Sequence, residues 1–114
     1  PMAVVVFDCA SMRAAGRGRI VNVASISGRK GTPRLTAYCA AKHAVVGLTR
    51  ALAEEVREEG IQVNAICPGS VDTKMLEGSG FPPDMTAEDV AGVALWLAAS
   101  APAALTGTCL DVFG

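Results

Sequence analysis

Two short β-rich apolar runs, RIVNVAS at 19–25 and IQVNAIC at 61–67, flank a long segment with helical spacing, and this triplet limits the fold more than any other feature of the 114-residue chain. Both runs are largely apolar rather than alternating, the pattern of strands covered on both faces in a parallel sheet. Between them, from about Leu35 to Glu59, the residues Ala41, Val45, Leu48, Leu52 and Val56 form an apolar stripe at helical spacing. The segment turns strongly charged and stops at Gly60. Strands separated by a crossover helix imply a right-handed βαβ unit.

The rest of the chain extends this pattern. Residues 2–15 read loosely as a helix ending before the glycines of GRGR, and a Gly- and Pro-containing loop joins the first strand to the long helix. After Pro68 and Gly69, a loop with Gly78, Gly80, Pro82 and Pro83 leads to TAEDVAGVALWLAAS. There Thr86, with Asp89 three residues on, predicts an N-cap with an acidic partner and a helix to about Ser100. TCLDV is a last short strand. The expected fold is α/β, a doubly wound parallel sheet. No internal repeat, low-complexity tract or linker divides the chain, so it reads as one unit.

About half of the residues are apolar (51%) and only 4% aromatic, with Trp96 the sole indole, so the core is expected to be built from Ala, Val, Leu and Ile. Net charge is −1 with no basic run, which leaves no electrostatic case for a nucleic acid or an anionic membrane as partner. The apolar run Ala3–Phe7 is far too short for a membrane span, ends at Asp8, and has no basic segment before it as a signal peptide would. Cys9, Cys39, Cys67 and Cys109 are scattered and His43 is the only histidine, too few ligands for a metal site. Small, buried, reduced thiols of a cytoplasmic protein are the expected reading of the cysteines.

The stretch SISGRKGTPRLTAYCAAK, 25–42, carries the candidate chemistry. Tyr38 and Lys42 stand four residues apart on the long helix, so their side chains share one face. A phenol is ordinarily too weak an acid for proton transfer near neutral pH, and a neighbouring ammonium favours its anion, which suits it to general acid or base work. Ser25 ends the first strand, and the carboxyl ends of parallel strands line the ligand crevice, so its hydroxyl can bond a substrate oxygen. Within the same stretch, SGRK at 27–30 matches the S-x-x-K pattern of serine acyl-transfer enzymes, but Gly28, Gly31 and Pro33 make it a loop, and no K-T-G follows.

GRIVNVAS, then Tyr38 and Lys42, then GIQVNAICPGSVDT, TAEDVAGVALWLAA and LTGTCLDV, resemble in order and spacing the carboxyl-terminal half of the short-chain dehydrogenase/reductase family, in particular its 3-oxoacyl reductase-like members. The resemblance implies a Rossmann-like fold of which the second half is present. It implies an oxidoreductase interconverting a carbonyl and an alcohol of a small molecule with NAD or NADP as cofactor. In the family the tyrosine moves the proton, the lysine favours phenolate and binds the nicotinamide ribose, and the serine orients the substrate oxygen. Tyr38, Lys42 and Ser25 match these positions. The family's P-G-x-x-x-T segment, which contacts the nicotinamide carboxamide and a phosphate, falls on Pro68, Gly69, Val71 and Thr73. Ser25, Ser27 and Met75 are expected at the substrate, with Leu76 and Phe81 in the same loop, and a homodimer or homotetramer is the expected assembly.

The family's glycine-rich pyrophosphate turn, the residue that selects NAD or NADP, and the helix asparagine of its catalytic tetrad have no counterpart in these 114 residues, which start at Pro1. Residues 1–114 are therefore expected to be the carboxyl-terminal part of a single domain whose amino-terminal cofactor-binding half lies elsewhere, and to fold poorly or self-associate if made alone. The alternative is a noncatalytic association module or truncated product. Ala40, Ala44, Gly47 and Ala51 would then give the long helix a small-residue face for a partner helix.

Overall fold

A computed structural model of the chain describes residues 9–69 and 85–113. The elements in order are α1 (Cys9–Ala15), β1 (Gly18–Val23), a 3-10 turn (Ile26–Gly28), α2 (Thr36–Val56), a second 3-10 turn (Arg57–Glu59), β2 (Ile61–Pro68), α3 (Ala87–Ala99) and β3 (Cys109–Val112). The three strands lie parallel in the order β1-β2-β3, with Gly18 opposite Ile61 at one end of the β1–β2 ladder and Ala65 opposite Cys109 in the next. This is the expected doubly wound parallel sheet.

Alternation along the strands divides the core between the two faces. On one face Ile20 of β1 and Ile61 and Val63 of β2 pack with Ala53 and Val56 of α2, and Ala65, Cys67 and Cys109 continue the layer with Val46 and Ala24. On the other, Ile66 packs with Leu97 of α3 and Ala101, flanked by Val21, Val93 and Leu110. A strand with apolar side chains on both faces has to be sandwiched to remove them from water, which is why β2 reads as a largely apolar run.

The buried polar groups sit where they fix one element against another. Asn22 of β1 donates to Thr49 Oγ1 of α2 at 3.0 Å, and that hydroxyl donates back to Val45 O at 2.8 Å. Asn64 of β2 donates to Leu105 O and accepts from Thr108 N, pinning the approach to β3. Arg19 reaches the carbonyl of Leu97 at the end of α3, 3.2 Å away. Gly60, at φ 76°, closes the helical segment, and a Cβ there would stand 2.3 Å from Gly16 O. Only glycine fits both that conformation and that approach.

Three expectations need correcting. The first strand ends at Val23 rather than Ser25, because Ser25 starts the 3-10 turn; only the Ala24 N–H still bonds across, to Ile66 O. Coverage of β1 on both faces also stops short of its end: Ile20 and Val21 pack into the cores on the two faces, whereas Val23 is 51% exposed. The apolar face of α2 is also rotated from the stripe read in the sequence. Leu48 is 50% exposed, while Cys39, Val46, Thr49, Ala53 and Val56 are buried. The sheet comes close where the side chains are small or carry the Thr49–Asn22 bond, and the larger leucine is left on the flank.

Trp96 and Leu95 of α3 are also exposed. Among the described residues no helix is long and apolar enough to cross a membrane, and Cys39, Cys67 and Cys109 are free and buried.

Candidate active site

Of the candidate residues, those described lie just after β1 (Ser25, Ser27), in the first turns of α2 (Tyr38, Lys42) and at the end of β2 (Pro68, Gly69). Ser25 follows β1 with extended backbone, φ −169° and ψ 162°, and is the N-cap of the 3-10 turn. Its Oγ accepts from the Ser27 N–H at 3.1 Å. A hydroxyl has one proton to donate as well as lone pairs to accept with, so this bond leaves the Ser25 O–H free to donate and fixes where the oxygen stands. Ser25 and Ser27 are both buried, and Ser27 Oγ lies 3.3 Å from Thr32 Oγ1.

The turn is closed by its own backbone, Gly28 N to Ser25 O at 2.8 Å and Arg29 N to Ile26 O at 2.9 Å, and is seated directly on α2. A Cβ at Gly28 would lie 2.8 Å from Lys42 O and 3.0 Å from Val46 Cγ2. The absence of a side chain at Gly28 is what lets the Ser25 turn rest on the part of α2 that carries Lys42. At the far end of the turn, Arg29 reaches across to β3. Its Nε and Nη2 stand 3.0 and 3.4 Å from the two carboxylate oxygens of Asp111, and Nη2 also donates to Cys109 O at 2.8 Å. The hydrogen bond to Asp111 makes the Arg29 guanidinium hold its proton more firmly than usual.

Tyr38 and Lys42 project from the first two turns of α2, a helix whose start is held by the Cys39 N–H bonded to Leu35 O at 2.8 Å. Both are half-buried, and Lys42 Nζ stands over the Tyr38 ring, 5.5 Å from its centroid. The pair is a cation–π contact as well as a charge next to a phenol. None of the ion pairs among the described residues involves Lys42, so its ammonium keeps its charge available.

Pro68 is buried at the end of β2, and the Gly69 N–H bonds to Val112 O at 2.8 Å, which carries the chain over the edge of the sheet beside β3. Just before them Cys67 lies fully buried; burial pushes its thiol up, with Cys109 adding and Arg29 opposing. Val71, Thr73 and Met75, with Leu76 and Phe81, lie outside the described residues. Among the described residues no three His, Cys, Asp or Glu side chains cluster as metal ligands would.

The turn carrying Ser25 and Ser27 thus rests through Gly28 on the part of α2 that carries Lys42 and, one turn earlier, Tyr38, and Pro68 and Gly69 lie at the end of the neighbouring strand. Sequence reasoning missed the roles of Gly28 and of the Arg29–Asp111 pair. Gly28 was visible as a glycine within the motif stretch, whereas nothing in the sequence links positions 29 and 111.

The model of the short chain dehydrogenase family matches residues 2–80. The D-beta-hydroxybutyrate dehydrogenase of Rhizobium meliloti is 38% identical over 90% of this chain and 49% of its own length. The 3-oxoacyl-acyl-carrier-protein reductase of Chlamydia muridarum is 39% identical over 85% of this chain and 44% of its own length. The solved structure of ElxO with NADP bound superposes with a TM-score of 0.81 at 32% identity, covering 90% of this chain and 48% of that one. The chain spans about half the length of the curated relatives it matches.

Proposed function

The chain belongs to the short chain dehydrogenase family, and from that premise we propose that it supplies the proton-transfer half of an NAD(P)-dependent oxidoreductase interconverting a carbonyl and an alcohol of a small molecule. The observation that carries this reading is the half-buried Lys42 ammonium poised 5.5 Å over the Tyr38 ring, on the helix against which the Ser25 turn is seated.

The residues fit a nicotinamide cofactor. A half-buried ammonium with no carboxylate partner among the described ion pairs is suited to donate to ribose hydroxyls, and Pro68 and Gly69 follow at the carboxyl end of β2, where ligands of such sheets bind. When bound, the nicotinamide supplies or takes up the hydride.

In reduction, the Ser25 O–H, left free by the bond its oxygen accepts from Ser27, donates to the substrate carbonyl oxygen and holds it in place. Tyr38 gives its phenolic proton to that oxygen as negative charge develops there, and the Lys42 ammonium offsets the charge left on the phenolate. In oxidation the same groups act in reverse: the phenolate takes the alcohol proton while Ser25 keeps the oxygen positioned. Ser27 and Met75 complete the substrate side in this reading, and Val71 and Thr73 complete the cofactor side with Pro68 and Gly69.

We further propose that residues 1–114 form the carboxyl-terminal part of one Rossmann-like domain. The coverage of about half of each relative supports this, as does the edge of β1 that pairs with no strand among the described residues. A homodimer or homotetramer is consistent with the exposed Ala40, Ala44, Gly47 and Ala51 on α2, and a cytoplasmic location with the free buried cysteines. The test is to assay the full-length protein with NADH and NADPH against a panel of ketones and 3-oxoesters. Substrate-dependent oxidation of one cofactor that falls sharply in S25A supports the reading. No turnover with either cofactor, across the panel and in the alcohol direction, counts against it.

A further inference from the structure

The short turn that holds Ser25 is anchored at both ends. Its inner side rests on the α2 backbone through Gly28, a contact made by shape alone. Its outer end is Arg29, whose backbone N–H closes the turn on Ile26 O and whose guanidinium spans to β3 to meet both oxygens of Asp111 and the carbonyl of Cys109. Three bonds from one planar group to two residues of a strand give a defined geometry that a mobile surface ion pair lacks. The carboxylate side chain is 40% exposed and the arginine side chain 31%, so the pair lies at the rim of the site, not in its core.

We infer that Arg29 and Asp111 form a positioning clamp that holds the Ser25 turn against the sheet and sets the direction of the Ser25 hydroxyl. The clamp acts through the turn and needs no contact with substrate or cofactor. Gly28 and Arg29 donate the two backbone bonds that shape the turn, to Ser25 O and Ile26 O, so a shift at residue 29 is passed directly to Ser25. The Ser27 N–H that orients Ser25 Oγ lies within the same three-residue turn and moves with it. Among the described strands β3 lies at one edge of the sheet, so the clamp ties that edge to the turn carrying Ser25 through two residues 82 positions apart, Arg29 and Asp111.

The inference rests on the reading of Ser25 as the group that orients the substrate oxygen, and its test separates the two. In the full-length protein, R29A, D111N, D111E and the R29A/D111N double variant are compared by amide hydrogen exchange of the peptide covering 25–31 and by kcat and KM for substrate and cofactor. R29A and D111N should each speed exchange in that peptide and lower kcat about tenfold, with cofactor KM changing by less than about twofold. The double variant should lose little more than R29A alone, since D111N removes part of the contact that R29A removes whole, the bond to Cys109 O included. D111E keeps the carboxylate and should recover much of the loss. D111N changes neither volume nor backbone, so it decides the matter even where R29A folds badly. Unchanged exchange in D111N, additive losses in the double variant, or faster exchange with kcat intact would each overturn the clamp. Failure of the functional reading is distinct: it shows as turnover retained in S25A, a variant measured alongside, and the exchange measurement is unaffected by it.

Discussion

Gly28 approaches the backbone of α2 so closely that a Cβ added there would lie 2.8 Å from the carbonyl oxygen of Lys42. Neither partner in that contact can give easily, because one is the helix backbone and the other the body of a three-residue turn. Gly28→Ala should therefore cost about 1–3 kcal/mol in stability, as overpacking does, and lower kcat more than it raises KM by moving Ser25 away from Lys42. Urea unfolding and steady-state kinetics on the same preparation check both halves. An unchanged midpoint would mean the turn can slide freely on the helix.

Asn64 is 2% exposed and holds two backbone groups at once, the Leu105 carbonyl and the Thr108 N–H. Asn64→Leu keeps much of the volume but takes the partner from both of these part-buried groups. The expected loss is about 1–3 kcal/mol per group left without a partner. The midpoint of denaturant unfolding reads it directly.

The start of α3 is a reciprocal cap. The Thr86 hydroxyl accepts from Asp89 N, and the Asp89 carboxylate accepts from Thr86 N at 2.9 Å. Thr86→Ala should cost about 0.5–2 kcal/mol and Thr86→Ser almost nothing. Thermal melts of the two variants make the comparison, and equal loss in both would show that the methyl group, not the hydroxyl, matters.

Burial holds the Cys67 thiol protonated beyond its ordinary value of 9.0. The folded state thus binds this proton more tightly than the unfolded state does. Its stabilising contribution is complete below about pH 9 and is lost as the pH rises further, since the unfolded chain then releases the proton first. Two results should follow: iodoacetamide at pH 8 leaves Cys67 unmodified until denaturant is added, and Cys67→Ala flattens the decline of the melting temperature above pH 9. Rapid modification in the native state would contradict the buried position.

What could be read from the sequence was what is local. The β-rich runs around Val21 and Val63 and the Thr86–Asp89 cap each depend on neighbours a few residues away, and they appear where their patterns put them. The Tyr38–Lys42 pair needed only helical spacing. The orientation of α2 was not legible, because periodicity finds an apolar stripe but not which side the sheet will meet; the Asn22–Thr49 bond and the small Ala53 decide that, and Leu48 is left outside. The 3-10 turn at 26–28 was hidden by its brevity. The Arg29–Asp111 pair was hidden because two charged residues so far apart carry no shared pattern until the strand order brings them together.

Proton transfer by Tyr38 can be checked with Tyr38→Phe in the full-length protein, turnover and cofactor affinity being measured side by side. The phenylalanine ring keeps the surface under Lys42 but has no proton to give. If Tyr38 is the proton donor, kcat falls about 10²-fold or more, the scale of general acid–base catalysis, with cofactor binding nearly unchanged. Turnover equal to that of the unaltered enzyme would contradict it.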